Sequence, residues 1–158
     1  MTAVSKMPGH LIRRLHQIST RVFTARVKEA GFDLTPVQFA ALDVIRRHPG
    51  LDQARLADAV AKDRATIGAV VDRLERKGLV ARDVKVRDRR ARQLVLTDKG
   101  EALIAGLYPV VEKLQAEILP GLTRAEHDRF VELAAKAARV ATATSLAKSS
   151  AQSGNLTK

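Results

Sequence analysis

The spacing of apolar residues changes from helical to alternating after Leu79, and that change limits what the chain can fold into. From Asp63 to Lys77 the sequence DRATIGAVVDRLERK places Ile67, Val70, Val71 and Leu74 at helical spacing. From Ala81 to Thr97 the period falls to two. Val84 and Val86 share one face, Leu94 and Leu96 share another, and Arg87-Asp88-Arg89-Arg90 lies between them. The stretch predicts one amphipathic helix running into a hairpin with a charged tip. Between Lys62 and Arg92, eleven basic residues face five acidic ones. A helix followed by a basic hairpin is a shape that can read DNA.

Local punctuation places the other elements. Asp63 is an N-cap, and Gly78 with Leu79 has the form of a helix-ending motif. Asp52 caps a short helix, QARLADAV, so two capped helices lie a few residues apart, as in a helix-turn-helix. Upstream, Thr35, Pro36 and Gln38 open a helix whose predicted core face is Val37, Ala40, Ala41, Val44 and Ile45, and His48-Pro49-Gly50 closes it. A first helix is expected from Gly9 to about Ala30. Its apolar arc is Leu11, Ile12, Leu15, Ile18, Ser19, Val22 and Phe23, and Gly31 is its stop.

Downstream, Thr97 or Asp98 caps a helix to about Leu119, with a kink expected at Pro109. Thr123 and Glu126 form a capping box for a last helix to about Ala143, with Phe130, Leu133, Ala134 and Ala137 on one face. Residues 1–8 read as a flexible N-terminal tail, and residues 144–158, rich in Ser, Ala and Lys, as a disordered C-terminal tail. The apolar arcs of the first and last helices exceed what a small helix-turn-helix core can cover. A two-fold homodimer joined through them would bury the excess.

Composition narrows the partners. A net charge of +11 and a pI near 10.7 point to a polyanion. Aromatic residues make up only 3%, too few for the stacking platforms that bind single strands. The absence of cysteine excludes disulfides, thiol redox chemistry and cysteine-ligated zinc. No Gly-rich phosphate loop, no Ser beside a plausible His/Asp set and no His pair at ligand spacing is present. The chain is therefore expected to be no enzyme and to need neither metal nor cofactor. The N-terminus lacks a signal-peptide core, and no apolar run approaches the ~18 residues of a membrane span. A cytoplasmic location is expected.

The order helix, helix, helix-turn-helix, hairpin, two helices resembles the MarR family of bacterial winged-helix regulators. The likeness is carried by DRATIGAVVDRLERKGLV (Asp63 to Val80), by RDRRARQLVLTDKG (Arg87 to Gly100) and by TPVQFAALDVI, over about residues 9–143. The second motif matches the wing signature, an Asp-Arg-Arg run followed by Leu-Thr and Gly. The resemblance implies a mainly α fold: a winged helix-turn-helix at about 35–97, a small β-hairpin wing, and dimerisation helices at about 9–30 and 98–143. It implies a homodimeric repressor of genes beside its own, bound to palindromic double-stranded DNA, nucleoid-associated when bound, and released by a small aromatic acid or phenol. GHLIRRLHQ and RATIGAVVDRLERKGLV resemble the branch controlling nicotinate breakdown (NicR/BpsR-like), which implies 6-hydroxynicotinate as effector.

Site residues follow from the helix start and the family geometry. Arg64, Ala65, Thr66, Ala69 and Arg73 are expected to face a major groove, where Arg pairs with guanine and the Thr methyl meets thymine. Ala69 departs from relatives that carry a longer polar residue there, which shifts readout toward DNA shape. The family places a wing arginine in the minor groove. Arg89 or Arg90 is the candidate, with Arg90 favoured, and Asp88 supports the neighbouring arginines. Arg76, Lys77, Arg82, Lys85 and Arg87 are expected to bind phosphate or steer association. For the effector, His10, Arg14 and His16 are candidate anchors and Phe39 a wall for the ring. Other classes remain open at this point: a sequence-independent architectural DNA protein, or a basic protein binding at a membrane surface.

Overall fold

A computed structural model of the chain describes residues 3–60, 62–83 and 93–153, with the side chains of residues 3, 83 and 141–153 left aside. Among the described residues, six α-helices and two strands occur in the order α1 Pro8–Glu29, α2 Pro36–Arg47, α3 Gln53–Val60, α4 Arg64–Arg76, β1 Val80–Asp83, β2 Gln93–Leu96, α5 Asp98–Ile118 and α6 Arg124–Ser153. The chain divides into two compact units, Met1–Ile118 and Leu119–Lys158.

In the first unit, each helix boundary has a local cause. The Thr35 hydroxyl accepts from Gln38 N–H at 3.2 Å while Gln38 Oε1 accepts from Thr35 N–H at 3.1 Å, a complete capping box. The Asp52 carboxylate accepts from Arg55 N–H at 2.9 Å and opens α3. At the end of α4, Gly78 N–H donates to the Glu75 carbonyl and Leu79 N–H to the Leu74 carbonyl, both at 2.9 Å. That pair of bonds needs a left-handed residue, and Gly78 sits at φ 70°. Thr97 is the cap of α5, its hydroxyl accepting from Gly100 N–H at 3.0 Å.

The core of this unit gathers Val27, Leu42, Ile45, Leu56, Ile67, Leu74, Leu79, Leu94, Ile104, Leu107 and Leu114, all essentially inaccessible. It draws on every helix from α1 to α5 and on β2. The α3–α4 pair packs against α2, and α4 also meets β1. The strands pair antiparallel, with Val80 opposite Leu96 and Arg82 opposite Leu94. Leu51 adds a bridge to Leu94: Gly50 N–H donates to the Leu94 carbonyl at 2.9 Å, and Leu94 N–H to the Leu51 carbonyl at 3.0 Å.

Several expectations need correction. The core face of α2 is rotated. Gln38 and Leu42 are buried with Ala41 and Ile45, whereas Val37, Ala40 and Val44 are only half-buried. Leu42 is apolar at helical spacing from Gln38 and Ile45, and the buried Gln38 has its side-chain oxygen engaged by the Thr35 N–H in the cap. Ala3–Lys6, within the residues 1–8 expected to be a flexible tail, form a 3-10 turn. Strand β1 begins at Val80, directly after the α4 ending motif. In the second unit α6 continues to Ser153 rather than to about Ala143. No glycine or proline interrupts it before Gly154, and its Ala and Lys residues favour helix. Residues 154–158 and the hairpin residues Val84 to Arg92 lie outside the described residues. The α6 capping box is present, with Thr123 N–H donating to Glu126 at 2.8 Å. Its side chains Phe130 and Leu133 are exposed to 36% and 46%, and on α1 Leu11 and Ile12 are exposed to 43% and 67%.

Candidate nucleic-acid interface

Helix α4 separates its residues cleanly. Ile67, Val71 and Leu74 are fully buried, while Arg64, Ala65, Thr66, Ala69 and Arg73 are all exposed. The five residues expected from sequence therefore share the outer side of one helix. Arg64 and Arg73 have no side-chain hydrogen-bond or ion-pair partner among the described residues, so their charge is available to a ligand.

The N-terminus of α4 is tied by Asp63. Its carboxylate accepts from Thr66 N–H at 2.8 Å and from the Thr66 hydroxyl at 2.6 Å. The Thr66 hydroxyl bond, then the backbone bond, hold the Asp63 carboxyl below its ordinary 3.8. Thr66 has thus spent its proton on the cap. It offers a partner only an oxygen acceptor and a methyl group, which narrows the role expected of it.

Two expected phosphate ligands are committed elsewhere. Lys77 Nζ donates to the Asp33 carbonyl at 2.6 Å and to Asp33 Oδ2 at 2.7 Å, which ties the end of α4 to the α1–α2 connection. Arg82 Nη2 donates to Asp72 Oδ1 at 2.6 Å and Nη1 donates to Glu75, so the guanidinium joins β1 to α4. Sequence reasoning counted both as free charge. The available signal was the i,i+3 spacing of Asp72 and Glu75 on one face of the helix just before the strand. Arg76 remains exposed, its Nε donating to the Asp72 carbonyl at 3.3 Å. Lys85, Arg87, Asp88, Arg89 and Arg90 lie outside the described residues.

The expected effector residues are more dispersed. Arg14 and His16 are exposed on α1, and His10 Nδ1 lies 3.5 Å from Arg13. Phe39 is half-buried between Phe23 and Tyr108, with ring centroids 5.9 and 5.7 Å away. The Tyr108 hydroxyl donates to Asp43 and accepts from Arg47 at 2.7 Å. Phe39 is therefore part of an aromatic row that sequence reasoning did not find. Its members come from α1, α2 and α5, too far apart in sequence for a motif to link them. An open cavity of about 640 Å³ lies elsewhere, between the C-terminal halves of α1 and α5, lined by Arg26, Ala30, Pro109, Val110, Lys113 and Leu114 among others.

A capped pair of helices, the second exposing arginines, followed at once by a two-stranded antiparallel ribbon, defines a winged helix-turn-helix, a class built to bind double-stranded DNA. A sequence model of the MarR family matches residues 34–91. The transcriptional regulator HosA of Escherichia coli O157:H7 is 34% identical over 127 residues, 80% of this chain and 91% of that protein. Among solved structures, Bordetella bronchiseptica BpsR, described with regulation of its DNA binding by 6-hydroxynicotinic acid, is 30% identical. It aligns at a TM-score of 0.79 over 87% of this chain and 97% of its own. The repressor CouR, bound to a 23-mer DNA duplex, is 29% identical at a TM-score of 0.80, over 87% and 96% respectively. The chain belongs to the MarR family, and its relatives are DNA-binding transcriptional regulators rather than enzymes. Among the described residues, no helix is long and apolar enough to cross a membrane.

Proposed function

We propose that the protein is a sequence-specific repressor that binds a palindromic operator as a homodimer and is released by a small aromatic carboxylate, with 6-hydroxynicotinate the best candidate. The observation that carries this reading is the division of α4: three fully buried apolar residues behind, and Arg64, Ala65, Thr66, Ala69 and Arg73 exposed in front. Arg64 and Arg73 are assigned to base edges. The wing arginines Arg89 or Arg90, with Asp88 between basic neighbours, are assigned to the adjacent minor groove, and Arg87 to phosphate.

The dimer is supported by the exposed apolar residues of α1 and α6, whose burial against a second copy would remove them from water. The effector assignment draws on BpsR, with His10, Arg14 and His16 as anchors and Phe39 as wall. The Phe39 ring presents only what Phe23 and Tyr108 leave uncovered.

The test is binding to duplex DNA at rising salt. A surface that neutralises six to ten phosphates loses ~10³–10⁵ in affinity between 50 and 200 mM salt. A flat response would remove α4 and the basic hairpin as a DNA surface.

A further inference from the structure

Arg82 stands at the root of the β1–β2 ribbon, and both ends of its guanidinium are engaged. One nitrogen donates to Glu75 and the other to Asp72 Oδ1 at 2.6 Å, with 18% of the side chain exposed. Asp72 and Glu75 are three residues apart on α4, so one face of the helix offers two carboxylates to one planar fork. A fork held at two points fixes the direction of the strand that carries it, which a single ammonium cannot do. The neighbouring cations Arg64 and Arg73 have no such partners among the described residues, so Arg82 is set apart from the charge that α4 presents outward.

Resting on the DNA-binding reading above, we propose that Arg82 is a positioning residue: it locks the ribbon to the recognition helix so that both meet DNA as one rigid body, and it is not itself a phosphate contact. This arrangement opposes simple electrostatics. Asp72 and Glu75 are carboxylates on the helix that meets a polyanion. If charge alone governed binding, removing them and releasing Arg82 would strengthen binding to any duplex. If the clamp governs, their removal frees the ribbon, and sequence preference falls although the charge has become more favourable.

The experiment uses the full chain and two probes: a duplex enriched by the wild-type protein from a random-sequence pool, and a scrambled duplex of the same composition. Affinities for both are measured in wild type, in Asp72→Asn/Glu75→Gln and in Arg82→Lys, alongside the melting temperature. In the double variant the ratio of the two affinities is expected to fall about tenfold, within the range for coupled contacting residues. Affinity for the scrambled duplex holds or rises. Arg82→Lys, which keeps the charge but loses the fork, is expected to lower the ratio part of the way. A joint rise in both affinities at constant ratio would overturn the proposal, as would a lowered melting temperature with an unchanged ratio. Failure of the wild-type protein to enrich any sequence would be a different result, overturning the DNA-binding reading and the proposal with it.

Discussion

Asp63 shows how a single side chain sets up the surface beside it. Its carboxylate accepts two bonds from Thr66, which hold its pKa below the ordinary 3.8. A carboxylate depressed in the folded state stabilises the fold at pH values above its unfolded pKa. That contribution is lost as pH falls through the folded value. The start of α4 is therefore expected to loosen only in acid, below pH 3.8. In an NMR titration the Thr66 amide resonance should move with a midpoint under 3.8, and Asp63→Asn should remove that transition. A midpoint at or above 3.8 would mean that the cap does not favour the charged form. The same bonds explain why Thr66 keeps its methyl and one acceptor for a partner while Arg64 and Arg73 keep their full donor sets. Lys77 and Arg82 illustrate the converse, since the number of arginines and lysines in a stretch does not say which are already paired.

At the level of elements, the sequence was most legible where the deciding chemistry lies within about four residues. Thr35, Asp52 and Asp63 cap where expected, and Gly78 ends α4 through the expected motif, because each bond joins near neighbours along the chain. The rotated face of α2, the bridge from Leu51 to Leu94 and the aromatic row through Phe39 were not legible. Each depends on a partner from a distant element, and helical periodicity cannot rank Val44 against Leu42 without that partner. The Gly of the wing signature gains its reason only in three dimensions. A Cβ on Gly100 would stand 2.1 Å from the Leu79 carbonyl oxygen, which itself accepts from Thr97 N–H at 3.1 Å. The end of α4 and the start of α5 meet there backbone to backbone. Gly100→Ala is expected to lower the unfolding free energy by ~1–3 kcal/mol or more, as overpacking does. Chemical denaturation reads this directly, and an unchanged midpoint would show that the junction yields without cost.

The whole molecule combines a net charge of +11 with exposed apolar residues on α1 and on α6. Charge on that scale brings a protein to DNA but does not choose a sequence. Choice requires two copies of α4 held at a spacing that matches the duplex, and the apolar residues of the first and last helices are the surface available to set it. An effector that binds a different spacing more tightly would withdraw the protein from DNA by its difference in affinity for the two states. Calorimetry with hydroxypyridine carboxylates is expected to give binding heat in wild type and weaker binding in Arg14→Ala. The absence of heat with every aromatic acid would remove the effector assignment. The central claim is that α4 reads sequence from a two-fold dimer, and a genome-wide footprint of the purified protein tests it most directly. The expected result is a small set of protected palindromic sites with half-sites ~10 bp apart, centre to centre. Uniform protection with no preferred sequence would contradict it.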